Sequence, residues 1–120
     1  MVFQPTSITD RPLLDENAEE ALGKFKGMVE DAFGDRLNQI FLYGSQARGQ
    51  ATPDSDLDIL VVLDPLNDGS EDWNRCIDFT AEIAAQTGEL ISVLVTSLSD
   101  YNNRGHPLLI NIRKEGIPLL

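Results

Sequence analysis

The chain has 120 residues, and its 20 Asp and Glu against 9 Lys and Arg give a formal net charge of -11. That length fits one domain, 1-120, able to bury about two-thirds of its unfolded surface, while the negative charge repels polyphosphate backbones and disfavours direct nucleic-acid binding. The single Cys76 cannot form an internal disulfide, and neither a leader pattern nor an apolar run of membrane-spanning length is seen, so a soluble cytoplasmic protein with no membrane contact is expected.

Residues Met1 to Pro12 contain two prolines and no periodicity, and are expected to form a flexible arm. From Leu14, apolar residues recur at steps of three and four through Ala18, Ala21, Leu22, Phe25, Val29 and Phe33, which predicts an amphipathic helix ending near Gly34. Asp15, Glu16, Glu19 and Glu20 crowd its first half, where the helix dipole favours negative charge. Leu37 to Tyr43 reads as a short strand whose continuous Ile40, Phe41 and Leu42 ask for cover on both faces.

A polar bend from Gly44 to Asp54 precedes a second strand, Asp56 to Leu63, which stops at Asp64-Pro65. Ser70 is placed to cap a helix whose stripe is Trp73, Cys76, Ile77, Thr80, Ile83 and Ala84, closed by Gly88. Trp73 is assigned to the core. Leu90 to Val95 is a third strand, Ser97 to Arg104 a turn or short helix, and Pro107 opens a last helix ended by Gly116. His106, the sole histidine, suits a cap and rules out a histidine-based metal cluster or triad. The apolar residues from Leu108 to Leu120 need cover from the body or from a partner.

Chemistry concentrates between Phe41 and Leu63. Asp56 and Asp58, spaced i and i+2 on a strand, point to one face, and their like charges repel unless a cation lies between them. Gly44-Ser45, if it opens a helix, offers free N-H groups suited to a phosphate. Ser45 would also serve as a plain N-cap. Arg48 has two roles open to it, clamping phosphate or pairing with a nearby aspartate.

Three other motifs fail on these residues. A P-loop needs lysine and Ser or Thr where Gln50 and Ala51 stand. A calcium loop needs glycine and glutamate where Ile59 and Pro65 stand. An aspartate nucleophile would be expected after an apolar strand, whereas here the acids precede it.

Gly44-Ser45, ten intervening residues and then Asp56-Leu57-Asp58, with Arg48-Gly49 and Ser55-Asp56 in place, resembles the signature of the DNA polymerase beta-like nucleotidyltransferase superfamily. The resemblance implies an α/β fold, a small mixed β-sheet flanked by α-helices. It implies Mg2+ held by Asp56 and Asp58, and ATP or another nucleoside triphosphate bound through Gly44, Ser45 and Arg48. It also implies a departure: Ser92 stands where many members carry a third carboxylate. Serine cannot supply that charge, and Glu89 reads as an ordinary polar residue at the strand start.

Minimal members of this superfamily are commonly antitoxins that add AMP to a tyrosine of a HEPN-domain toxin, and the short chain implies the same role. Two alternatives stand beside it. One is a catalytically weak or inactive nucleotide-binding module that neutralises a partner by docking, and the other a small-molecule nucleotidyltransferase.

Overall fold

A computed structural model describes residues 16–44, 56–67, 70–103 and 105–120. Helix α1, Glu16–Phe33, turns its apolar stripe inward, with Ala21, Phe25 and Val29 fully buried. Gly34, at φ 54°, takes a left-handed conformation that side chains resist and passes the chain through a short 3-10 turn, Gly34–Arg36. Strand β1, Leu37–Tyr43, has the expected bounds. Strand β2, Leu57–Leu63, begins one residue after Asp56. Helix α2, Glu71–Thr87, carries the chain over to β3, Ile91–Ser97. Helices α3, Leu98–Tyr101, and α4, Pro107–Glu115, precede a two-residue strand β4, Ile117–Pro118.

The strands order as β3-β2-β1-β4. β2 runs parallel to β3 and antiparallel to β1, and β1 runs antiparallel to β4, which makes the sheet mixed. A parallel pair cannot be closed by a hairpin; α2 is the crossover that joins β2 to β3. Ile40, Leu42, Ile59, Val61 and Val95 face the larger core with α1 and α2. Phe41, Leu60 and Val62 face a second cluster with Tyr101, Leu109 and Ile112 from α3 and α4. Both faces of the central strands are therefore covered, as the unbroken apolar run in β1 requires.

The expected α2 stripe holds at Cys76 and Ile83 and departs at Trp73 and Ile77. Its buried residues are Asp72, Cys76 and Ile83, with Phe79 packed against them, whereas Trp73 is 40% exposed and Ile77 46% exposed. The difference comes from Asp72, a charge that a hydrophobic pattern places outside. Its carboxylate receives Arg36 Nη1 at 2.8 Å, Arg36 Nη2 at 3.0 Å and the Asn67 backbone N-H at 2.9 Å, so burial leaves it paired. That clamp pulls the Asp72 side of the helix toward the sheet and turns Trp73 out.

Two caps also differ from expectation. Ser70 and His106 occupy the N-cap positions of α2 and α4 without a side-chain hydrogen bond to the helix N-H groups, while Ser97 caps α3 by accepting from Asp100 N-H. At the C-terminal end, Ile117 and Leu119 pack on the larger core and Leu120 stays 52% exposed. Among the described residues no helix is long and apolar enough to cross a membrane.

Candidate active site

The antiparallel ladder sets Tyr43 opposite Asp58, and the parallel ladder sets Ser92 beside it. Asp58 lies between the two, on the face that also carries Leu60 and Val62. At the top of β1, Gly44 turns at φ 78°, and a Cβ built there would overlap Asp58 Oδ2 and come within 3.2 Å of Asp58 Cγ. The carboxylate thus rests over the glycine's backbone, in space that only a missing side chain leaves open. Asp56 precedes the strand by one residue, shares the parity of Asp58 and is exposed.

The structure thereby brings together Gly44, Asp58 and Ser92, and sets Asp56 at the same end of the sheet. Ser45 and Arg48 lie outside the described residues, as does the arm at 1–12. Glu89 is committed elsewhere: Asn17 Nδ2 donates to its Oε2 at 2.9 Å and to the Thr87 carbonyl at 2.7 Å, tying α1 to the end of α2. Ser92 is exposed and is the β3 residue in register with Asp58.

Tyr43 is a neighbour of the site that sequence reading passed over. Its ring packs against the α3 and α4 cluster while its position faces Asp58 across the ladder. Burial, and then the Asp58 charge, raise its phenol above the ordinary tyrosine value, so at neutral pH it stays a protonated donor. The signal was available as parity: Tyr43 ends the strand whose Phe41 shares its face.

Carboxylate oxygens are hard donors that suit a small divalent cation, and a pair at the head of one strand leaves most of the coordination shell for water and phosphate. No third His, Cys, Asp or Glu completes a cluster among the described residues. The donor chemistry of Asp56 and Asp58 thus fits a small divalent cation that takes further ligands from outside the protein.

Residues 30–120 match the family described as polymerase beta, nucleotidyltransferase. Two relatives from Methanocaldococcus jannaschii bear the name protein adenylyltransferase. One is 32% identical over 88 residues, covering 73% of this chain and 82% of the relative. Another is 32% identical over 105 residues, covering 86% of this chain and 69% of the relative. Among solved structures, a toxin-antitoxin crystallised with AMP-PNP aligns at a TM-score of 0.55 and 18% identity, over 85% of this chain and 72% of the other. The toxin-antitoxin MntA-HepT aligns at 0.51 and 16% identity, over 85% and 71%. At those identities the structural likeness speaks for the fold.

Proposed function

The chain belongs to the polymerase beta nucleotidyltransferase family and is a nucleotidyltransferase, and from that membership we propose that it transfers AMP from ATP to a hydroxyl of a partner protein. The observation that carries the proposal is the Asp58 carboxylate seated over Gly44, at the corner where a phosphate-binding turn would begin. The name protein adenylyltransferase on its relatives supports AMP as the group and protein as the acceptor. The toxin-antitoxin neighbours support a toxin as the partner; that this partner is a HEPN-domain toxin and that a tyrosine is its acceptor belong to our proposal.

In this reading the Gly44 and Ser45 backbone, with the Ser45 hydroxyl, binds the β- and γ-phosphates. Arg48 either clamps phosphate or holds the loop against an aspartate. Asp56 and Asp58 would hold a divalent cation, magnesium in our proposal, which when bound neutralises charge on the triphosphate. The acceptor oxygen forms a bond to the α-phosphorus, the bond from that phosphorus to the bridging oxygen breaks, and pyrophosphate leaves. The hydroxyl proton passes to water, since Ser92 offers no base on the neighbouring strand. A reducing cytoplasm suits both the lone thiol and the nucleotide.

Ser92 favours a second reading as well, in which the domain binds nucleotide and neutralises its partner by docking, without turnover. Incubation with ATP labelled at the α-phosphate, Mg2+ and the protein encoded next to this one separates the two. Label on that protein, lost with Asp56→Asn or Asp58→Asn, is the expected result. A tight complex with no label would replace the first reading by the second, and label on a small acceptor would replace both.

A further inference from the structure

Strand β3 is an edge of the sheet, paired with β2 on one side and with no strand on the other among the described residues. The Leu57 N-H donates to the Leu90 carbonyl at 2.9 Å. In a parallel ladder that fixes which backbone groups point where: Leu90, Ser92 and Leu94 turn theirs to β2, and Ile91, Val93 and Val95 turn theirs outward. From Leu90 to Ser97 the sequence LISVLVTS has no charge and no proline, and its register with β2 is unbroken. Exposed edges are ordinarily blunted by lysine, proline or a bulge. This one carries none of these, in a chain of net charge -11.

The edge is also continuous with the site. Ser92 is the register partner of Asp58, and Leu90, 59% exposed, shares its face. We propose that the outer edge of β3 receives the acceptor protein as an added strand, an inference that rests on the nucleotidyl transfer proposed above. Strands lie about 4.8 Å apart, so an added one would sit about 10 Å from β2, with only the small Ser92 between it and Asp58. A tyrosine on that strand reaches across Ser92, and its oxygen takes the α-phosphorus as pyrophosphate leaves and its proton goes to water. Apolar neighbours of that tyrosine lie along Leu90 and Leu94. Lysine or arginine at the flanks complements the acidic surface and draws the segment in.

The full chain tests this with a blocked peptide of sequence Lys-Thr-Val-Thr-Tyr-Thr-Val-Lys, whose valines share the face of the tyrosine. Amide exchange followed by NMR without nucleotide should slow at least tenfold at Val93 and Val95 on adding the peptide. With α-labelled ATP and Mg2+, the tyrosine should take up label. Ser92→Leu should keep the exchange protection and lose at least tenfold of the labelling, because it leaves the edge intact and fills the path over Asp58. Unchanged exchange at Val93 and Val95 overturns the proposal. So does protection already present without peptide, whether it varies with protein concentration, as a second copy would make it, or does not, as a segment of the same chain would. Protection without label, together with no heat from Mg2+ and AMP-PNP in calorimetry, would fail the transfer reading and leave the docking edge established.

Discussion

Asp58 can stand where it does because Gly44 has no side chain: a Cβ on Gly44 would clash with Asp58 Oδ2. Gly44 also sits at φ 78°, where an L side chain adds strain of about 1–2 kcal/mol. Gly44→Ala should therefore do two things at once. It should lower stability by roughly 1–3 kcal/mol, and it should displace the carboxylate enough to remove the heat of Mg2+ and AMP-PNP binding. Gly34→Ala is the control, because φ there is 54° and nothing lies within 4 Å of the added carbon. It should show comparable strain in urea melts and unchanged binding.

Period and punctuation made most of this fold legible. The helix stripe through Phe25 and Val29, the continuous run in β1, and the Gly88 and Gly116 stops all follow from local physics and lie where the sequence puts them. Of the candidate site, parity gives Asp56 and Asp58 one face, and the register of β2 and β3 sets Ser92 beside Asp58. The burial of Asp72 and the outward turn of Trp73 were hidden because they depend on Arg36, distant in sequence, whose guanidinium pairs the buried carboxylate. Strand order was hidden too, since no local pattern states that β2 lies between β1 and β3. The unpaired edge of β3 among the described residues belongs with these, because edge position is a property of the whole sheet.

The Arg36 and Asp72 pair should behave as a buried ion pair on one side only. Asp72 is 1% exposed, and the Arg36 hydrogen bonds hold its carboxyl below the usual aspartate range. Removing the acid strands Arg36 and empties the Asn67 contact, so Asp72→Ala should cost about 2–4 kcal/mol by urea denaturation, less than a fully buried pair because Arg36 is partly solvated. The sign with pH follows from the depressed value. The pair's contribution is fully present above the unfolded aspartate pKa of about 3.9 and is lost as pH falls through the lower folded value. Melting temperature in wild type should drop steeply below pH 4, and Asp72→Asn should flatten that limb. An acid limb of equal slope in the variant would show that other carboxylates set it.

Cys76 is fully buried in the larger core, and burial, helped by the charge of Asp72, pushes its thiol up to about 12. An unfolded thiol titrates near 8.5, by the reference value for cysteine. The native protein should thus resist iodoacetamide at pH 8.5 and react completely in urea, with mass spectrometry as the readout. The same shift makes stability fall as pH rises from about 8.5 toward the folded value, because only the unfolded chain then releases the proton. Cys76→Ala should remove that alkaline loss while costing stability at neutral pH through the cavity it leaves.

The turn from α4 into β4 is set by Gly116. Its N-H donates to the Ile112 carbonyl at 2.7 Å, and a Cβ on it would lie 2.5 Å from that same carbonyl oxygen. Backbone cannot yield as a flexible side chain can, so Gly116→Ala must open the turn. The cost passes to β4, whose Ile117 pairs with Leu42 and whose following residue, Leu119, donates its N-H to the Ile40 carbonyl at 2.8 Å. A loss of about 1–3 kcal/mol is expected, the range for overpacking a closed contact. The location of the damage is the sharper test. Amide exchange at Leu119 should accelerate far more than exchange in β2, because β4 holds β1 by two register pairs whereas β2 is bonded on both sides. Equal acceleration across the sheet would mean that β4 is part of the cooperative core and no local latch.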